Sequence, residues 1–160
     1  MSGDPTLKPL IGFFQFQDRM LDRLIEGFSP ADWTHQLAGS SHALWIVGHL
    51  ASMRMGLARK LGITVAQSPW EGSFARGTKP AASGGADAAD LVRAFHHGGL
   101  VVTGGLATLS AEAGQAAFGR KLPDGSDTVA GAARFLQWHE AYHLGQLGLI
   151  RHSLGKPGVA

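Results

Sequence analysis

Apolar residues in this chain recur three and four positions apart in four long stretches, each bounded by residues that start or stop helices. In the first, about Leu7 to Gly27, one face carries Leu10, Phe13, Phe14, Gln17, Met20, Leu21, Leu24 and Ile25. Asp4, Pro5 and Pro9 stand at its start, where proline is tolerated, and Gly27 stands at its stop. Ser29-Pro30-Ala31-Asp32 reads as a short capped connector. The second stretch takes Ser40 or Ser41 as its N-cap and runs to about Leu61, with Gly62 beyond. The third, about Asp87 to Leu109, contains Gly98-Gly99 and Gly104-Gly105, although each glycine in a helix interior costs roughly 1 kcal/mol against alanine. Such pairs let another helix approach closely. The fourth starts from a cap at Ser126 or Asp127 and runs to about Leu154, where Gly155 and then Pro157 end it.

Between the second and third stretches, from Ile63 to Ala86, the period is lost among Pro69, Gly72, Gly77, Pro80, Ser83, Gly84 and Gly85. A connection of that length in a compact domain is functional or mobile. Trp70 and Phe74 predict that part of it packs down. Leu122-Pro123-Asp124-Gly125 marks a turn before the last helix. No segment alternates as a strand, and no repeat is present. The expected fold is therefore all-α, a four-helix bundle with a long loop between helices 2 and 3, as one domain over residues 1–160.

Composition narrows the chemistry. The 160 residues are 44% hydrophobic, enough for one core, and include no cysteine. That excludes a thiolate nucleophile, cysteine zinc sites and disulfides, leaves histidine and carboxylate as the strong metal ligands, and makes a cytoplasmic location the default expectation. Neither a leader-like pattern nor a run of roughly 18 apolar residues is seen, so no membrane partner is expected. The formal charge is +2, and the 14 basic residues are scattered singly from Lys8 to Lys156. Nucleic-acid surfaces cluster such residues on one face, so no nucleic-acid partner is expected either.

The chemistry concentrates in Trp138-His139-Glu140-Ala141-Tyr142-His143-Leu144-Gly145-Gln146. Histidines four apart on a helix lie on one face, a turn apart, so His139 and His143 can converge on one metal ion. The obvious third donor is His49 in Leu44-Trp45-Ile46-Val47-Gly48-His49-Leu50, although a lone histidine on an apolar face is more often a hydrogen-bonded core residue. Trp45, Ser52 and Met53 share the His49 wall by helical spacing, while Tyr142 and Gln146 belong to the pocket side of the last helix. His42 reads as a surface histidine near the cap. Glu140, about 100° from His139, is placed for a second shell or a helix contact. His152 points away, and His35, His96 and His97 have no ligand spacing among themselves. His139-Glu140-Ala141-Tyr142-His143 formally matches the zinc-protease helix motif, but it lacks the downstream third ligand and any strand for a peptide cleft.

At His49 and at His139-Glu140-x-Tyr142-His143-x-Gly145-Gln146-Leu147, followed by Arg151 and Gly155, the chain resembles the DinB-like (YfiT-like) superfamily of metalloenzymes. The resemblance implies an up-up-down-down four-helix bundle, often a homodimer, with one divalent metal ion per chain held by His49, His139 and His143 and open to a pocket. It also implies activity on a small-molecule substrate. Characterised relatives include transferases and isomerases that use a low-molecular-weight thiol activated at the metal. An open three-nitrogen site suits such a thiol-dependent S-transferase, and it equally suits a metal-activated hydrolase. Metal-bound water or thiolate is the expected nucleophile and Gln146 an orienting group, with no general base assigned. Zn, Ni and Fe all fit three imidazoles, as does Cu. The alternative is a non-catalytic bundle that binds a metal or small ligand. Gly98-Gly99 and the loop around Trp70 are the expected dimer contact or lid.

Overall fold

The computed structural model describes residues 3–81 and 84–159; Ser83, one of the loop breakers, lies outside them. A 3-10 turn at Pro5–Leu7, capped by the Asp4 carboxylate accepting from the Thr6 N–H at 2.9 Å, leads into α1, Lys8–Ile25. Then follow α2, Ala43–Lys60, α3, Ala88–Thr108, the single turn α4, Ala111–Gly114, and α5, Val129–Ser153. The four long helices form the bundle. α1 packs on α3 and α5, and α2 packs on the same two, so α1 and α2 sit diagonally and α2 lies beside α5.

Two helix starts differ from the expectation. The N-cap of α2 is neither Ser40 nor Ser41 but His42, whose Nδ1 accepts the Trp45 N–H at 3.1 Å. His42 is 4% exposed, so it is a buried cap and not a surface residue. An imidazole nitrogen in the position of a cap oxygen satisfies the same orphan donor. At α5 the cap is Thr128, whose hydroxyl accepts from the Gly131 N–H at 3.1 Å, in place of Ser126 or Asp127. On α1, Phe14, Gln17, Leu21 and Leu24 are buried, but Phe13 is half exposed at the edge of the stripe.

The apolar core falls into two clusters. One is built around Leu21, Ile46, Leu50, Leu91, Phe95 and Leu147, the other around Phe14, Leu57, Val102, Leu106, Ala133 and Leu136. Between them, at mid-height of all four helices, lies a polar layer centred on the fully buried Arg54. Its guanidinium donates to both Glu140 carboxylate oxygens, from Nε at 2.7 Å and from Nη2 at 2.8 Å, to the Phe95 carbonyl at 3.0 Å, and to Asp18. It also lies 3.5 Å from the centroid of the Phe95 ring. Burial favours the neutral guanidine, but the Glu140 and Asp18 carboxylates outweigh it and hold the Arg54 pKa above its ordinary value.

The Gly98-Gly99 pair exists to admit this group. A Cβ at Gly98 would stand 2.8 Å from the Arg54 Cβ, and one at Gly99 would stand 2.9 Å from an Asp18 carboxylate oxygen. Both glycines are buried within the chain, which removes them as a dimer contact.

The long loop is packed and tethered. Arg59 donates to both Glu71 oxygens, at 2.9 and 2.6 Å, and to the Val65 and Ala66 carbonyls. Further on, the buried ring of Phe74 rests on Gly48, where any Cβ would meet ring atoms at 2.5 to 2.7 Å. Trp70 packs edge-on against that ring, so it serves as an anchor within the chain. Leu122 and Gly125 close the expected turn, with the Gly125 N–H donating to the Leu122 carbonyl at 2.9 Å. No helix among the described residues is long and apolar enough to cross a membrane.

Candidate metal centre

His49 leaves α2 toward α5 at the level of the polar layer, and His139 and His143 leave α5 to meet it. The His139 Nε2 lies 3.4 Å from the His49 Nε2 and 3.2 Å from the His143 Nε2, and the candidate donor atoms of all three lie within 4.8 Å of one another. Around a tetrahedral zinc with Zn–N bonds of about 2.0–2.1 Å, the nitrogen–nitrogen edges are about 3.3–3.4 Å. The spacing therefore fits one cation, and no fourth protein ligand joins the group among the described residues.

The outer nitrogens fix which ring atoms carry lone pairs inward. The His49 Nδ1–H donates to the Phe74 carbonyl at 2.8 Å, and the His143 Nδ1–H donates to the Gln146 Oε1 at 2.7 Å. Neutral rings with Nδ1 protonated have bare Nε2 atoms, so at least two lone pairs converge on the centre. A proton on the His139 Nε2 satisfies one of them, whereas a cation satisfies all three. The His139 Nδ1 is buried without a hydrogen-bond partner.

Burial and the neighbouring imidazole charges push His139 down to about 4. Burial likewise brings His143 to about 4 and lowers His49. All three rings are thus neutral at neutral pH, the form that binds metal. Trp45 stacks on His49 with ring centroids 4.8 Å apart and planes 9° from parallel, and its indole N–H donates to the Thr78 hydroxyl at 3.0 Å. The loop therefore holds His49 twice, through the Phe74 carbonyl and through Trp45.

Above the three rings opens a cavity of about 450 Å³. Of the residues placed in the pocket by sequence, Trp45, Met53 and Tyr142 line it. Ser52 does not; it faces an adjoining cavity of about 290 Å³ that shares Met53, Arg120 and Phe135 with the first. Nor does Gln146, which lies behind His143, accepting from that ring and donating to the Tyr142 hydroxyl at 3.2 Å. It positions an imidazole and does not face the cavity. The sequence does not point to Arg76, Arg120, Pro123, Phe135 and Trp138 in the wall. Arg76, Arg120 and Pro123 sit in the two loops, where no periodicity points inward. A larger cavity of about 520 Å³ lies between α1 and α5, beside Phe13 and Phe16, and touches none of the three histidines.

Residues 14–147 match the DinB superfamily. The chain belongs to that superfamily. Its match spans Phe14 on α1 through Leu147 on α5, and so includes His49, His139 and His143. No curated protein and no solved structure gives a significant match. In this DinB-superfamily chain the protease-like reading of His139-Glu140-Ala141-Tyr142-His143 is closed off by Glu140. Its carboxylate is fully buried and engaged at both oxygens by Arg54, on the side of α5 away from the cavity.

Proposed function

We propose that this protein is a divalent-metal-dependent enzyme acting on a small molecule, with His49, His139 and His143 as the metal ligands. The observation that carries the reading is the convergence of three neutral imidazoles, at edges of 3.2 and 3.4 Å, on the floor of an open cavity. Structural metal sites close their coordination sphere with four protein ligands, whereas three ligands under a cavity leave a position for a reacting molecule. That feature favours an enzyme over a non-catalytic metal-binding bundle.

A divalent ion in such a site acidifies a coordinated water or thiol and so supplies a nucleophile at neutral pH. The chain's own groups do the rest. The Phe74 carbonyl and Gln146 fix two of the rings, Trp45 covers His49, and Phe135, Trp138 and Tyr142 give the cavity aromatic walls. Of the two reactions, the family resemblance favours transfer of a low-molecular-weight thiol to an electrophile over hydrolysis. The same reading includes a homodimer, for which the half-exposed Phe13 and Phe16 on α1 provide an apolar face.

The test is a pair of activity panels on protein loaded with Zn, Ni or Fe, one combining low-molecular-weight thiols with electrophiles and one using esters. Turnover in the thiol panel that stops on chelation and in His139→Ala supports the transferase. Turnover with esters alone supports the hydrolase. Silence in both panels from fully loaded protein supports the binding-only bundle.

A further inference from the structure

The cavity above the three histidines has a strongly one-sided charge. Its wall carries two arginines, Arg76 and Arg120, and no carboxylate. They come from different parts of the chain, Arg76 from the loop between α2 and α3 and Arg120 from the loop before α5. Both therefore stand above a floor made by the two bundle helices. Arg76 and His139 line the same cavity. Arg120 lies with its guanidinium 5.7 Å from the centroid of the Phe118 ring, and the Lys60 ammonium lies 5.5 Å from the same ring. Lys60 and Arg120 both line the adjoining cavity, so positive charge continues beyond the histidines.

Neither Arg76 nor Arg120 pairs with a carboxylate among the described residues, although Arg54, Arg59, Arg93 and Lys156 do. The one carboxylate near the adjoining cavity, Glu71, is held by Arg59. Unpaired guanidinium groups at the rim of a cavity with aromatic walls attract anions and offer them paired donors in a planar fork.

We propose that Arg76 and Arg120 form an anion-recognition site, and that the molecule reaching the metal centre is an organic anion with an apolar or aromatic body. Its carboxylate or phosphate group sits against the two arginines, and its body lies along Trp45, Phe135, Trp138 and Tyr142. This rests on the cavity being the substrate site of the proposed metal enzyme, but the arginines act whether or not the metal is present.

That independence makes the two readings separable. Trp45 and Trp138 line the cavity, so intrinsic fluorescence reports occupancy. The experiment titrates benzoate, phenyl phosphate and the neutral benzamide into the full chain, both metal-loaded and chelator-treated, for the wild type and for Arg76→Gln/Arg120→Gln. Both arginines are exposed, and metal stoichiometry together with thermal unfolding checks that the variant remains folded. The wild type is expected to bind at least one of the anions saturably and about tenfold or more tightly than benzamide, in both metal states, with the double variant losing about tenfold. Preference for benzoate assigns a carboxylate substrate and preference for phenyl phosphate assigns a phosphate. Equal binding of benzamide, or unchanged anion binding by the double variant, overturns the proposal. Anion binding that needs the arginines, in a protein that takes up no metal on incubation with each ion, keeps this site and removes the metal-centre reading instead.

Discussion

Arg54 of α2 and Glu140 of α5 face each other as a two-pronged ion pair, with both side chains fully withdrawn from solvent. Glu140 adjoins His139 in sequence, and Arg54 follows His49 by five residues. The pair thus fixes the spacing of the two helices that carry the histidines. Removing Arg54 leaves the buried Glu140 carboxylate without compensation, which costs about 3–5 kcal/mol, whereas removing Glu140 leaves Arg54 still paired with Asp18. Arg54→Met should lower stability by that order in denaturant unfolding, and Glu140→Leu by less. The double variant, which leaves only the partly exposed Asp18 carboxylate without its guanidinium, should lose less than the sum. Additive losses would show that the two side chains are not coupled.

Gly48 gives the second prediction, because the Phe74 ring occupies the space of its missing side chain. Gly48→Ala forces the ring outward, at about 1–3 kcal/mol for overpacking. The displacement carries with it the Phe74 carbonyl that orients His49. Thermal unfolding should fall, and competition with a chelator should show weaker metal retention. Unchanged retention would mean that the loop does not position His49.

Gln146 tests the positioning role directly. Gln146→Leu leaves the His143 Nδ1–H without its acceptor, and loss of such an outer partner typically costs 10–100-fold in metal affinity. Chelator competition should read a loss in that range with the helix content unchanged. Tyr142→Phe, which removes only the next link, should have a smaller effect.

The depressed histidines make the metal-free protein acid-sensitive. Well above pH 6.5 the rings are neutral both folded and unfolded, so they contribute no slope. As pH falls from 6.5 toward 4, the unfolded chain takes up protons at His139 and His143 that the folded chain refuses, and stability declines across that window. Urea unfolding of chelator-treated protein at a series of pH values should show this decline. His139→Gln/His143→Gln should flatten it, and an equally steep decline in that variant would assign the acid sensitivity to other groups.

Much of this was legible in the sequence because periodicity and breakers report directly on helices. The α3 range Ala88–Thr108 lies within one residue of the expected span at each end, since Asp87 is a strong cap and accepts from the Asp90 N–H at 2.7 Å. The His139/His143 pair was visible for the same reason. Arg54 was not, because an arginine in a helical run reads as surface, and only the three-dimensional meeting of Asp18, Phe95, Gly98, Gly99 and Glu140 makes a buried place for it. The cap role of His42 depends on a backbone direction that residue type alone does not give. Angular position places Gln146 on the pocket side, but its side chain reaches sideways to His143. The arginines of the cavity rim arrive from irregular segments, where spacing has no direction.

The central claim, that three imidazoles from α2 and α5 enclose one cation, is tested most directly by metal analysis of untagged protein by mass spectrometry. The account predicts about one divalent ion of Zn, Ni or Fe per chain, lost on His49→Ala, His139→Ala or His143→Ala while the helical content is retained. Protein that stays free of metal after incubation with each ion, or that binds as well without these histidines, would contradict it.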